Sequence, residues 1–217
     1  MRFRALIFDM DGTIVDNMGF HNRAWAIWHQ RQGLPFDEAN FFARTAGKAN
    51  AEILDPLFPA ANAAEIERHA EDKEAIYRQI YAAHAEPLPG LMELLALAEA
   101  RNIPKAVATA APPGNIEAVL DRLDLRNRFV TVVSPSQGFR GKPHPDMFLA
   151  AAERMGAAPA DCLVFEDAPL GIEAARRAGM KAVALLTMLA ASDFSASGTV
   201  IAAVKDFTAL DGAALLA

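Results

Sequence analysis

Six short apolar runs recur along this 217-residue chain, at residues 5–8, 105–109, 129–133, 162–165, 181–185 and 200–204. They are apolar continuously rather than in alternation, the pattern of strands buried on both faces. Helix-period segments separate most of them, and helices are expected over residues 90–100, 115–123, 145–155 and 171–178. Strands of this kind alternating with helices predict an α/β fold, a doubly wound parallel sheet covered on both faces. At 23.3 kDa the chain is long enough to bury such a core and a small insertion besides.

One interval breaks the alternation. From Asp16 to about Glu86 the pattern is helical with no convincing strand. The expected organisation is therefore a core made of residues 1–15 and 87–217, with residues 16–86 inserted as a small helical domain. Its entrance is Val15-Asp16-Asn17, and its exit is Pro87-Leu88-Pro89-Gly90, where two prolines and a glycine suit a stiff connection into a helix. An insertion held by two short tethers just after the first strand can hinge over the carboxyl ends of the strands, where open α/β sheets bind ligands. It reads as a lid.

Composition excludes several classes of function. Lys and Arg total 21 against 27 Asp and Glu, a formal charge of −6 with no basic run, which argues against a nucleic-acid partner. The longest apolar stretch near the end, residues 182–191 with Thr187 inside it, is about half the ~20 residues of a spanning helix, so no membrane partner is expected. The N-terminus runs straight into the first strand without the apolar region and cleavage site of a signal peptide, and a cytoplasmic location is expected. The single cysteine, Cys162, lies in an apolar run and reads as a buried hydrophobe.

The chemistry gathers at strand ends. The first strand runs out in Phe8-Asp9-Met10-Asp11-Gly12-Thr13, two carboxylates followed by a glycine that permits a sharp turn. An isolated Asp-x-Asp is commonly turn chemistry. A calcium loop starting at Asp9 fails, since it would need a glycine at Ile14 and an acid at Phe20. A second acidic pair, Glu166-Asp167, ends the fourth apolar run. Parallel pairing brings both pairs to one sheet edge, where four carboxylates repel unless a cation compensates. An all-oxygen set of this kind suits Mg²⁺. Thr109 with the neighbouring Ala110 amide, and Lys142 held between Gly141 and Pro143, lie at the same edge and supply donors and charge for a phosphoryl group.

Together these segments resemble the haloacid dehalogenase superfamily of phosphatases, in the branch with a helical cap after the first strand, close to β-phosphoglucomutase-like hydrolases. The resemblance spans residues 5–185 and rests on Phe8-Asp9-Met10-Asp11-Gly12-Thr13, Val107-Ala108-Thr109, Gly141-Lys142-Pro143 and Val164-Phe165-Glu166-Asp167, followed by Gly171-Ile172-Glu173-Ala174-Ala175. It implies that Asp9 is the nucleophile that accepts the phosphoryl group and that Asp11 protonates the leaving oxygen and then activates water. It implies Mg²⁺ between the Asp9 carboxylate, the Asp11 backbone carbonyl and Asp167, with Glu166 close by or acting through water. Thr109 and Lys142 would hold the transferring group. The presence of Asp11 favours phosphate-ester or anhydride chemistry over cleavage of carbon–halogen bonds.

In the insertion, Met18, His21, Trp25 and Trp28 share one helix face, and such a face is mostly packing. The resemblance places His21 and Trp25 near the phosphoryl site when the cap is closed. Lys73 falls within the stripe Ile66, Ala70, Tyr77, Ile80 and Tyr81, so its ammonium must either snorkel out or face a polar cleft, and snorkelling is the default. Lys73 and Lys48 together could make the inner surface of the cap attractive to an anionic substrate.

The chain departs from the mutase pattern after the motif threonine. There Ala110-Ala111-Pro112-Pro113 replaces the polar and basic side chains that grip a second phosphate, and Asn50 stands where that pattern has an arginine. Losing that grip favours water as the final acceptor. The expectation is a Mg²⁺-dependent phosphatase acting on a small phosphorylated metabolite such as a sugar phosphate, as a monomer or weak oligomer, with a phosphomutase as the rival. A phosphoryl-accepting receiver module also combines strand-end acids with Thr and Lys. The long insertion and the late Glu166-Asp167 pair count against it.

Overall fold

The computed structural model describes residues 3–45, 48–194 and 198–216, so Ala46 and Gly47 beside Lys48 lie outside the described residues. All six expected strands form: β1 (Ala5–Phe8), β2 (Lys105–Ala108), β3 (Thr131–Val133), β4 (Cys162–Glu166), β5 (Lys181–Leu185) and β6 (Val200–Val204). They make one parallel sheet in the order β3-β2-β1-β4-β5-β6. The chain leaves β1 toward one edge and returns to its other side at β4, which puts the switch in strand order between β1 and β4.

The strands are apolar throughout because each feeds two cores. Leu6, Phe8, Val107, Leu163, Phe165, Val183 and Leu185 face one side. Ala5, Ile7, Ala106, Ala108, Cys162, Val164, Ala182 and Ala184 face the other. This is the period of two expected of strands. The second face is rich in alanine, whose small side chains leave room for α7 (Asp146–Arg154) and α8 (Pro169–Arg177). On the first face Phe8 stacks on Phe165 at 4.7 Å between ring centroids, with Phe129 and Phe207 packed around them. Cys162 is buried, and burial pushes its thiol up to about 11, in keeping with a packing role.

Several boundaries differ from expectation, three of them instructively. β2 stops at Ala108, which leaves Thr109 as the first residue beyond the strand. β3 begins only at Thr131, because Phe129 leaves the short 3₁₀ turn Arg126–Arg128 to pack beside Phe8 while Val130 stays exposed. The helix expected at 115–123 starts earlier, as α6 (Pro113–Ile116), since a proline fits the first turn, and it widens into a π turn at Glu117–Asp121.

Between β1 and α5 (Leu91–Ala100) the described residues form four helices and no named strand: α1 (Met18–Gln32), α2 (Glu38–Thr45), α3 (Asn50–Leu54) and α4 (Ala63–Tyr81). α1 is closed by Gly33 in the left-handed region. α4 opens with a capping box in which the Asn62 side chain accepts from the Glu65 amide and Glu65 accepts from the Asn62 amide. Trp25 and Trp28 of α1 are buried, as are Ile66, Ala70, Tyr77 and Tyr81 of α4. The entrance and exit of this helical segment are bonded to each other, with the Leu88 amide donating to the Ile14 carbonyl at 2.8 Å. No helix among the described residues is long and apolar enough to cross a membrane.

Candidate active site

Strand register builds the centre. Phe8 pairs with Phe165, and the Asp9 amide donates to the Phe165 carbonyl at 3.0 Å, so Asp9 emerges beside Glu166 and Asp167 at the carboxyl ends of β1 and β4. One oxygen from each of the three carboxylates lies within 4.8 Å of the others, and all three side chains are buried. Lys142, from the loop before α7, reaches the same place. Its Nζ donates to Asp9 Oδ1 at 2.5 Å and to Glu166 Oε1 at 2.8 Å. Glu166 Oε2 accepts from the Asp167 amide at 2.9 Å, so both oxygens of Glu166 are engaged, and one of them anchors the lysine.

Two glycines permit this closeness. A Cβ on Gly12 would lie 2.1 Å from Asp167 Oδ2, and one on Gly171 would lie 1.5 Å from Glu166 Oε1. Gly12 also has φ +76°, a left-handed conformation that a side chain would strain. The turn is tied further at Gly12, whose amide donates to Asn17 Oδ1 and whose carbonyl accepts from the Thr187 hydroxyl at 2.8 Å.

Burial dominates the electrostatics. It pushes the Asp9 carboxyl up to about 8, with Lys142 opposing and Glu166 and Asp11 reinforcing the rise. Asp167 is driven well above the usual carboxylate range, again by burial first and then by Glu166 and Asp9. Burial works against the Lys142 ammonium, but Asp9 and Glu166 outweigh it and hold the lysine above its ordinary value. The buried set thus holds three carboxylates against one ammonium, and an oxygen-only donor set with excess negative charge fits a hard divalent cation such as Mg²⁺.

Next to this set, Thr109 is buried and its Oγ1 accepts from the Ala111 amide at 3.1 Å, which leaves the hydroxyl proton free to donate elsewhere. Asp11 is more open, with Oδ1 accepting from Asn17 Nδ2 at 2.6 Å. Asp9, Asp11, His21, Trp25, Lys48, Lys73, Thr109, Ala110, Lys142, Glu166 and Asp167, all singled out in the sequence, line one cleft between the strand ends and the helical segment.

The model of the haloacid dehalogenase-like hydrolases matches residues 3–179. The chain belongs to this hydrolase family. Fructose-1-phosphate phosphatase YqaB of Escherichia coli (strain K12) is 39% identical over 184 residues, covering 84% of this chain and 96% of that protein. Beta-phosphoglucomutase of Bacillus subtilis (strain 168) is 34% identical over 188 residues, covering 83% and 82% respectively. A solved structure of a HAD hydrolase, family IA, variant 3, from Entamoeba histolytica HM-1:IMSS superposes with a TM-score of 0.86 at 24% identity, covering 97% of this chain and 95% of that one. At that identity the likeness speaks for the fold.

The helical side of the cleft in this hydrolase differs from the sequence reading at Lys73. Instead of snorkelling, Lys73 is buried. Its Nζ lies 2.8 Å from His21 Nδ1, 2.9 Å from Glu74 Oε1 and 5.1 Å from the centroid of the Trp25 ring. The ammonium is stabilised there by a carboxylate, a ring nitrogen and an aromatic face, so it need not reach water. Burial pulls its pKa down, with Glu74 opposing. His21 Nδ1 faces the Lys73 Nζ, and on the other side of the ring Nε2 lies 3.6 Å from Asp11 Oδ1 without a hydrogen-bond partner among the described residues. The His21 ring stacks on Tyr77 at 3.8 Å. Lys48 is exposed at the cleft edge.

Sequence reasoning missed four residues that order the site. Asn17 Nδ2 lies 2.6 Å from both Asp11 Oδ1 and Tyr77 Oη, and it reads in sequence only as part of a connection. Tyr77 reads as an apolar stripe residue. Glu74 Oε1 accepts from Asn50 Nδ2 at 2.7 Å, and its Oε2 accepts from Asn115 Nδ2, also at 2.7 Å. Burial opposes the Glu74 charge, yet Lys73, then His21 and the two amides, hold its carboxyl down at about 2. No local pattern marks Glu74 or Asn115, which meet across 41 positions of sequence.

Proposed function

We propose that this hydrolase is a Mg²⁺-dependent phosphatase that removes the phosphoryl group from a small phosphorylated metabolite, a sugar phosphate above all, through an aspartyl-phosphate on Asp9. The observation that carries the reading is the buried set of Asp9, Asp167, Glu166 and Lys142, with Asp11 two residues from the nucleophile and Thr109 beside it. The relatives that are sugar phosphatases support the substrate class.

Asp9, the Asp11 carbonyl and Asp167 would hold the cation, which supplies positive charge where two anions must approach. Lys142 adds to that charge and keeps Asp9 pointed at the phosphorus. An Asp9 oxygen attacks the phosphorus while the ester oxygen departs with a proton from Asp11. Water then attacks the phosphorus of the aspartyl-phosphate, Asp11 takes its proton, and Asp9 is released together with free phosphate. Thr109 and the Ala110 amide donate to the phosphoryl oxygens, whose charge grows during transfer. Residues 16–86 act as the lid that excludes water from the first step, and His21 Nε2 stands beside Asp11 to orient it. The setting is the cytoplasm, with a soluble metabolite as the partner.

Phosphate release from a panel of sugar phosphates, with Mg²⁺ and with chelator, tests this. Release is expected to vanish with chelator and to fall by at least about 10³-fold in Asp9→Asn. Undiminished release in that variant refutes the phosphoenzyme. Conversion of a hexose 1-phosphate to its isomer without free phosphate would instead favour a mutase like the Bacillus subtilis relative.

A further inference from the structure

The chemistry at Asp9 leaves the wall of the cleft beyond His21 unexplained. That wall holds Glu74, Asn50 and Asn115, contributed by α4, α3 and α6. Glu74 lines the cleft as a buried carboxylate fixed by Lys73, Asn50 and Asn115, so its charge stays where a substrate meets it. We propose that Glu74 selects the substrate by charge: the cleft takes monophosphates whose remainder is neutral and hydroxylated, and it rejects those that carry a second anionic group. The proposal rests on the phosphatase reading for the bond that is broken, and it concerns the part of the substrate that does not react.

The buried lysines of the cleft are already engaged. Lys142 is bonded to Asp9 and Glu166, and Lys73 to Glu74 and His21. Among the described residues no arginine lines the cleft. Arg78 lies behind the wall, donating to Asn115 Oδ1 at 3.1 Å and paired with Glu71. Among the described residues Lys48 is the remaining lining lysine, and it is exposed, where solvent screens it. A second phosphate or a carboxylate at the wall would therefore lose its water, face an anion, and find no free buried cation in return. Hydroxyl groups fare differently. Both wall amides give their N–H to Glu74, and the Asn50 carbonyl oxygen keeps no partner among the described residues, so the wall offers acceptors that suit hydroxyl donors. Discrimination built on unpaired charge exceeds what a change of shape alone supplies.

Paired substrates of one carbon skeleton test the idea, namely glucitol 6-phosphate against 6-phosphogluconate, and fructose 1-phosphate against fructose 1,6-bisphosphate. Wild type is expected to prefer the member with the neutral remainder in each pair by at least about 100-fold in kcat/KM, mostly through KM, and Glu74→Gln to narrow that ratio at least about tenfold. Asn50→Arg, which sets a cation against Glu74, is expected to narrow it as well and keeps the test open should Glu74→Gln fold poorly. Calorimetric binding of the same pairs to Asp9→Asn protein, with and without Glu74→Gln, reads the preference without turnover. Equal loss on both members, an unselective wild type, or no binding of either member overturns the proposal. Selective, Glu74-dependent binding without hydrolysis would uphold it while refuting the phosphatase reading.

Discussion

Asp9 illustrates how a fold sets a carboxyl against its ordinary preference. Burial, then Glu166 and Asp11, favour the neutral acid, and the Lys142 ammonium offsets only part of this. The consequence for stability has a definite sign. A carboxyl raised from 3.8 in the unfolded chain to about 8 in the fold binds a proton on folding, so its contribution is complete below about pH 4 and is lost as pH climbs toward 8. Metal-free Asp9→Asn is therefore expected to melt above wild type at about pH 8 and level with it near about pH 4, read by thermal melts across that range. Melting temperatures that keep a constant offset would show that Asp9 does not titrate in this window. Lys73 teaches a similar lesson at the residue scale. Its place in an apolar stripe was legible in the sequence, but its direction was not, because burying a lysine depends on His21 of α1 arriving from packing and on that packing turning the neighbouring Glu74 inward as well.

At the scale of elements, the junction between β4 and α8 sets the acids. The strand ends at Glu166, and α8 begins three residues later at Pro169, so Gly171 lies in its first turn directly against the Glu166 carboxylate. Gly171→Ala is expected to displace Glu166, loosen Lys142 and lower kcat by at least about tenfold, together with a loss of stability visible in urea titration. Gly19 in α1 is the contrasting case. None of the described residues lies within 4 Å of a Cβ there, and Gly19→Ala is expected to stabilise the fold by roughly 0.5–1 kcal/mol with activity kept, because it only reduces the freedom of the unfolded chain. Destabilisation at Gly19 would mean that the start of α1 is not the open helix turn described. The strands themselves were legible in sequence almost to the residue, since burial on both faces demands an uninterrupted apolar run. The start of β3 was not legible, because Phe129 is as apolar as a strand residue yet serves the ring cluster at Phe8.

The whole molecule joins a sheet edge to a helical segment, and the site exists only where the two meet. Ligation across that edge should couple to global stability. Mg²⁺ at about 100 times its dissociation constant is expected to add ~2.7 kcal/mol to unfolding, measured by denaturation with and without chelator, and Asp167→Asn should abolish most of the gain. An equal gain in that variant would place the cation elsewhere. The sequence by itself determined the order of strands and helices and the acids at the ends of β1 and β4. It also determined Thr109 and Lys142 at the same edge, because strand periodicity and strand-end position are local properties that one stretch of chain encodes alone. The tertiary structure decided the rest: Glu166 as the anchor of Lys142, Thr187 bonded to the Gly12 carbonyl across 175 positions, and Glu74 held by amides from two other helices. Those contacts unite residues far apart in the chain, and their geometry is fixed by how whole elements pack, for which no single segment carries a pattern.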